Sequence, residues 1–253
     1  SRSSPASQTR AIGRLAAAAG TTDGDAGSSA GAARRSTLRP GPSKGGSLSH
    51  PRRRGQRSRP QGQFGSFGSL HTQSGSSGFI GSHIVESLLK EGARVTIYDN
   101  FSSGSMENLK AIQGQVTIIK GDILDYPALE AAMRGHDLVS HQAAQLEILK
   151  CVDDPLWDLQ VNTGGTVNVL RAAKSVGVRK AVLASSACVY GQTDADQQTE
   201  DHPTQPNWAY GVSKLAAEQL CYLYFANYGV PTVSLRYFTV YGPRQRPDMG
   251  FHK

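Results

Sequence analysis

Apolar positions recur along the latter part of the chain with two different periods. Short runs at residues 93–100, 116–120, 137–141, 181–184 and 232–238 are rich in Val, Ile and Leu, which is the composition of buried strands. Between them, Ile84, Val85, Leu88 and Leu89 recur at helical spacing and meet a stop at Glu91 and Gly92. A second helix is predicted from about Pro155 to Ser175, and a third carries Tyr210. Short apolar strands alternating with helices predict an α/β fold, a doubly wound parallel sheet with helices on both faces.

The turns of this pattern carry the chemistry. Gly75, Gly78 and Gly81 precede the first helix at intervals of three. Glycines there let backbone amides approach a pyrophosphate, which the positive end of the helix stabilises; a glycine-rich linker is the alternative. Asp99 ends the next strand 18 residues after Gly81, the distance at which a carboxylate meets adenosine ribose hydroxyls. It would repel a ribose phosphate, so NAD is favoured over NADP.

Of the nine tyrosines, Tyr210 alone has a lysine four residues on, Lys214. Positions four apart share a helix face, so the ammonium is expected beside the phenol, favouring a phenolate that can accept a proton. Upstream, Ser185 and Ser186 lie where a strand should end, the edge at which ligands bind in open α/β sheets; local backbone capping is the competing role.

Taken in order, Gly75-x-x-Gly78-x-x-Gly81, Asp99, Gly121-Asp122-Ile123, His141-x-Ala143-Ala144, Ser185-Ser186-Ala187-x-Val189-Tyr190-Gly191, Tyr210-x-x-x-Lys214 and Arg236-Tyr237-Phe238-x-x-Tyr241-Gly242-Pro243 resemble the extended short-chain dehydrogenase/reductase family. Within it the chain is similar to NAD-dependent nucleotide-sugar epimerases, of which the UDP-glucose 4-epimerases are the best-known type. The resemblance implies a Rossmann-type sheet and epimerisation through a transient 4-keto sugar. It assigns Tyr210 as base, Ser186 as the hydroxyl that orients the reacting group, and Lys214 as the residue that holds the nicotinamide ribose. Gly75, Gly78, Phe79, Ile80 and Gly81 would cradle pyrophosphate, while Asp99, Asn100, Ser102, Ser103 and Gly104 would meet adenosine. Asp122 and Ile123 would flank adenine, Ala143, Ala144 and Gln145 would line the nicotinamide half, and His141 would be structural. Sugar 4,6-dehydratases of the family carry a second acid/base pair after the catalytic hydroxyl. Here Ala187 and Cys188 stand in those places, which favours epimerisation.

Composition divides the chain at residue 74. Residues 1–74 hold 12 of the 27 Lys/Arg and 2 of the 20 Asp/Glu, so this Ser-, Gly- and Arg-rich segment is expected to be disordered, and 75–253 to form the dinucleotide-binding domain. The basic segment reads first as a leader with no fold or a mistaken start of the translated gene; nucleic-acid binding or a transit peptide are its alternatives, although no aromatic stacking pattern accompanies its charges. A dinucleotide-binding remnant or sensor without catalysis is the other alternative. Residues 66–73 are glycine-rich and polar where the family places an apolar first strand. The small substrate lobe that follows Gly242 and Pro243 in the family is expected to be missing, and a chain lacking both is expected to be a poor enzyme. Thr239 stands where relatives often have asparagine. Three cysteines without metal spacing and no apolar run of membrane length suggest a cytoplasmic protein with a UDP-linked sugar as partner, no metal, no membrane contact, and a homodimer as one assembly.

Overall fold

The computed structural model describes residues 77–193 and 197–246, apart from the side chains of Ile148 and Leu149. Gly75 and the basic 1–74 segment, including residues 66–73, lie outside the described residues. Helix α1 (Phe79–Lys90) starts at Gly78 and buries Ile84 and Val85; its chain reverses at Gly92, whose φ of 78° suits glycine. Strand β1 (Thr96–Asp99) leads through two short 3-10 turns to β2 (Thr117–Lys120) and α2 (Tyr126–Met133), which Asp125 caps by accepting from Ala128 N–H. Strand β3 (Leu138–His141), the short helices α3 (Ile148–Asp153) and α4 (Pro155–Asp158), α5 (Gly165–Val176) and β4 (Lys180–Ser186) follow. Helix α6 (Ala209–Tyr228) and β5 (Thr232–Tyr237) complete the described fold.

The helix expected from Pro155 to Ser175 is divided. Residues Leu159–Gly164 wind as a π-helix between α4 and α5. Two adjacent glycines, Gly164 and Gly165, end this wider winding, and a Cβ at Gly165 would lie 2.2 Å from Ile123 Cδ1. The local irregularity thus lets α5 approach the segment after β2. π-turns inside helices often mark functional positions.

All strand pairs are parallel. β1 pairs with β2, Thr96 opposite Thr117 through Asp99 opposite Lys120. β3, β4 and β5 form a second sheet in that order, with His141 opposite Leu183 and Ser186 opposite Tyr237. Among the described residues no ladder joins β1 to β3. In the predicted doubly wound order, the strand before the glycine turn belongs between them, so the division falls where the sequence is polar instead of apolar.

Side-chain packing spans what the ladders do not. One core combines Tyr98 of β1 and Ile123 with Val139 of β3, Ala181 and Leu183 of β4, Leu129 and Met133 of α2, and Val169 and Leu170 of α5. A second packs Val85 of α1 against Val95, Ile97, Leu109 and Ile112. Among the described residues, it is apolar burial that connects β1 to β3.

A more apolar first strand should consequently stabilise the protein. The triple substitution His71→Leu, Thr72→Val and Gln73→Val is expected to raise the thermal midpoint, followed by far-UV circular dichroism, by roughly 5–10 °C if one of the three side chains enters a core and by more if all do, since each contributes about 1.5–3 kcal/mol when fully buried and 1 kcal/mol is worth about 2–4 °C at this size. An unchanged midpoint would show that apolar side chains at these positions do not enter a core.

Candidate active site

The parallel strands bring the residues assigned to a dinucleotide together at their carboxyl ends. At α1, Gly78 takes an extended conformation, no side chain caps the helix, and its first turn contains no acid. Its amides and dipole are therefore open to an anion. Ser77 N–H and Oγ–H donate to Asp99 Oδ2 at 3.1 and 2.7 Å, and Phe101 N–H donates to Oδ1 at 2.8 Å. Asp99 is fully buried, so in this structure its carboxylate fastens the glycine turn to the end of β1. The opposite side of Ser77 is held by Ser105 N–H and Asn108 Nδ2, which donate to its carbonyl at 2.8 and 2.7 Å. A Cβ at Gly104 would lie 1.8 Å from Ser77 Oγ, so only glycine fits this cradle.

Asn100 Nδ2 donates to Asp122 Oδ2 at 2.9 Å, and Tyr98 Oη–H donates to the Asp122 carbonyl at 3.1 Å, joining the ends of β1 and β2. Gly121 lets the Tyr98 ring pass, since a Cβ there would come within 2.3 Å of it. Ser102 is exposed beside this pair, Ser103 is half-buried and Ile123 is buried. Past β3, Ala143 and Ala144 are buried, and Gln145 is held by its backbone: its N–H donates to Asn162 Oδ1 at 2.8 Å. His141 Nε2 contacts Thr166 Oγ1 at 3.0 Å, and that hydroxyl donates to the Asn162 carbonyl. The imidazole thus acts as donor in a buried structural chain, as expected. Gly75 lies outside the described residues. The open helix end and the glycine cradle fit a pyrophosphate, and NAD can be held by this set.

The reacting half is built where β4 ends. Ser186 closes the strand, and its Oγ accepts from Cys188 N–H at 3.2 Å in the 3-10 turn that follows. Helix α6 crosses this turn so closely that a Cβ at Gly211 would lie 2.5 Å from the Cys188 carbonyl oxygen. That approach sets Tyr210 against Ala144, Cys151, Cys188 and Ala209. Lys214, on the same helix face, is 3% exposed and donates to the Ala184 carbonyl at 3.0 Å.

Electrostatics here differ from the expectation that Lys214 makes a phenolate of Tyr210. Burial dominates and pushes the phenol above its ordinary range, the nearby Cys188 and Asp158 add to the rise, and a hydrogen bond with Ser186 opposes it. Lys214 Nζ lies 5.7 Å from the ring centroid, and burial brings its own pKa down to about 8 against the pull of Asp158. The physical reason is that desolvation disfavours both charges, and it outweighs one cation that is turned toward the strand. Burial thus opposes ionisation of the phenol in the folded chain.

Sequence reasoning missed two supports. Glu218, the next residue of the Tyr210–Lys214 series at spacing four, accepts from Arg236 Nε at 2.9 Å, from Arg236 Nη2 at 2.8 Å and from Ser185 Oγ at 2.5 Å. The bidentate pair ties α6 to β4 and β5 beside Ser186, with Arg236 also donating to Tyr190 Oη at 3.0 Å. Extending the four-residue spacing one step would have found Glu218. The second, around Asp158 and Asn162, depends on the π-helix and had no sequence signal.

A family model, the NAD dependent epimerase/dehydratase family, matches residues 74–252. The UDP-glucose 4-epimerase of Mycolicibacterium smegmatis is 38% identical over 178 residues, covering 68% of this chain and 56% of that protein. Among solved structures, the UDP-glucose 4-epimerase of Thermus thermophilus in complex with NAD is 41% identical with a TM-score of 0.67, over 72% of this chain and 58% of that one. The dTDP-glucose 4,6-dehydratase DesIV of Streptomyces venezuelae, with NAD and TYD bound, is 30% identical with a TM-score of 0.70, over 74% and 60%. The chain spans a little over half the length of the curated relatives it matches.

Gly211→Ala should force α6 away from the turn after β4, because the added carbon meets backbone instead of a movable side chain. The expected cost is about 1–3 kcal/mol, read as a lower urea midpoint, with a loosened Tyr210. A midpoint equal to that of the unaltered protein would mean that the helix can shift without strain.

Proposed function

We propose that this chain, which belongs to the NAD dependent epimerase/dehydratase family, is the NAD-binding and proton-transferring part of a nucleotide-sugar epimerase acting on the fourth carbon of a UDP-linked sugar. The observation that carries the reading is the meeting of Tyr210 with Ser186 at the end of β4, with alanine and cysteine following where dehydration would need a second acid/base pair. DesIV shares the fold, so the fold alone does not choose between epimerase and dehydratase. The inert Ala187 methyl favours the epimerase, which needs one base only.

Gly78, Phe79, Ile80 and Gly81 would hold the pyrophosphate of NAD, with Gly75 leading into the turn. Asp99, Asn100, Ser102, Ser103 and Gly104 would meet the adenosine, Asp122 and Ile123 the adenine, and Ala143, Ala144 and Gln145 the nicotinamide half. When bound, NAD supplies a reversible hydride acceptor, so that the deprotonated sugar hydroxyl becomes a ketone and is reduced again from its other face. Ser186 orients that hydroxyl by hydrogen bonding. Tyr210 takes its proton and later returns it, and Lys214 contributes the positive charge that makes the transfer affordable in a buried site. The similar epimerases argue for a UDP sugar, and Thr239 is the residue to examine for sugar choice.

Among the described residues no helix is long and apolar enough to cross a membrane, and Cys151, Cys188 and Cys221 are all free thiols. A reducing compartment such as the cytoplasm fits this reading.

The test is turnover of UDP-galactose, followed by coupling the UDP-glucose formed to its dehydrogenase and reading absorbance at 340 nm. Tyr210→Phe is expected to lower turnover by roughly 100-fold or more while leaving NAD affinity within a small factor, and Ser186→Ala should cost less. Undiminished turnover in the phenylalanine variant would reject Tyr210 as the proton acceptor. NAD binding without any conversion would favour a dinucleotide-binding module without catalysis.

A further inference from the structure

Asp158 closes helix α4 and is fully buried, yet the reaction as read above gives it no role. Its Oδ1 accepts from the Cys151 thiol at 2.9 Å and from Asn162 Nδ2 at 2.8 Å. Its Oδ2 is buried and has no hydrogen-bond partner among the described residues. A carboxylate with half its acceptors unmet is costly inside a protein unless a positive charge lies near it. The ionisable groups around it and around the pair on α6 are Cys151 of α3, Glu147 just before it, Cys188 after β4, and Tyr210, Lys214 and Cys221 of α6. Of the buried described residues, Lys214 is the one cation.

A hydrogen-bonded route also leads from this carboxylate to the helix that carries the pair. Asn162 Nδ2 reaches Ser213 Oγ at 3.2 Å, and Ser213 Oγ–H donates to the Tyr210 carbonyl at 3.0 Å. Thr163 Oγ1–H donates to the Ser213 carbonyl at 3.3 Å. Asp158 precedes the π-helical winding and Asn162 lies within it, so the irregular segment presents its polar residues to the turn of α6 between Tyr210 and Lys214.

We propose that Asp158 is a positioning residue of the reaction centre: the buried counter-charge of Lys214, fixed through Asn162 and Ser213 to the turn that carries Tyr210. The inference rests on the reading of Tyr210 and Lys214 as the proton-transfer pair. Its consequence is a balance. The carboxylate keeps the lysine charged to higher pH, opposing the burial that lowers its pKa to about 8, and it adds to the burial that raises the pKa of the phenol. Proton acceptance is thereby withheld until substrate and cofactor complete the site.

Asp158→Asn removes the charge and keeps the shape. Tyr210 should then ionise at lower pH and Lys214 should lose its proton at lower pH, so both limbs of the turnover profile move toward acid, by about one pH unit. The conservative Asp158→Glu variant should return them toward the wild-type position. Ionisation of Tyr210 can be read without turnover, as the 295 nm absorbance difference between each protein and its Tyr210→Phe counterpart. Limbs and phenolate titration left at their original pH, with only the rate lowered, would overturn the inference while leaving the epimerase reading intact. An inactive wild type in which the phenolate titration still shifts with Asp158→Asn would do the reverse. Should Asp158→Asn fold poorly, thermal midpoints decide: adding Lys214→Met to it should raise the midpoint, because the unpaired buried cation is gone. A double variant as unstable as the sum of the two singles would show that the two residues are not a charge pair.

Discussion

An ammonium taken out of water has to find acceptors inside the protein, and much of this structure is arranged around that need at Lys214. Its acceptor is the Ala184 carbonyl near the end of β4, so α6 must lie close along that strand. Closeness requires glycine at position 211, where the helix meets the Cys188 carbonyl. One turn further on, the bidentate pair of Glu218 and Arg236 prevents α6 from rolling about the contact, because it also grips Ser185 and β5. The lysine, the glycine and the ion pair therefore act as one fitting whose product is the placement of Tyr210 beside Ser186.

That fitting has an electrostatic price. Drying the site raises the phenol and lowers the ammonium, which is the wrong direction for a resting proton acceptor. The same dryness strengthens any favourable charge that later enters, since Coulomb interactions grow as the dielectric falls. A positively charged nicotinamide and a hydroxyl donating to the phenol are such contributions in the proposed reaction. A site that becomes basic only when filled protects the bound sugar from exchange with water and confines the reactive state to the complex.

How far the sequence could be read depended on the range of each interaction. Tyr210 and Lys214 are four residues apart on one helix, and the glycine turn with Asp99 is a local turn–helix–strand unit, so spacing sufficed for both. The strands were legible because buried parallel strands are continuously apolar, as at residues 181–184. The role of Asp99 in fastening Ser77 was less so, because it joins residues 22 positions apart through a fold not yet in view. Asp158 was invisible for a different reason. Its partners Cys151 and Asn162 lie nearby in sequence, but they converge on it only through the π-winding of Leu159–Gly164, which no periodicity announces. The division of the predicted helix at that segment is where local reasoning failed, and it is also where the unexpected polar network lies.

The two sheets of the described residues bear on function through the same geometry. Ser77, Asp99, Asn100 and Asp122 depend on β1 and β2, whereas Ser186, Tyr210 and Lys214 depend on β4 and α6. Among the described residues these two groups lie on strands that no ladder joins, and the core around Tyr98, Ile123 and Val139 packs them together. Apolar contact is non-directional and tolerates sliding more readily than a hydrogen-bonded ladder does. Hydride transfer, in contrast, is sensitive to ångström-scale misplacement of the reacting atoms. In the proposed reaction, registration of the two groups would therefore matter alongside the chemistry of Tyr210. A dinucleotide laid across both halves would contribute to that registration by binding each of them, which makes cofactor retention and catalytic geometry two expressions of a single constraint.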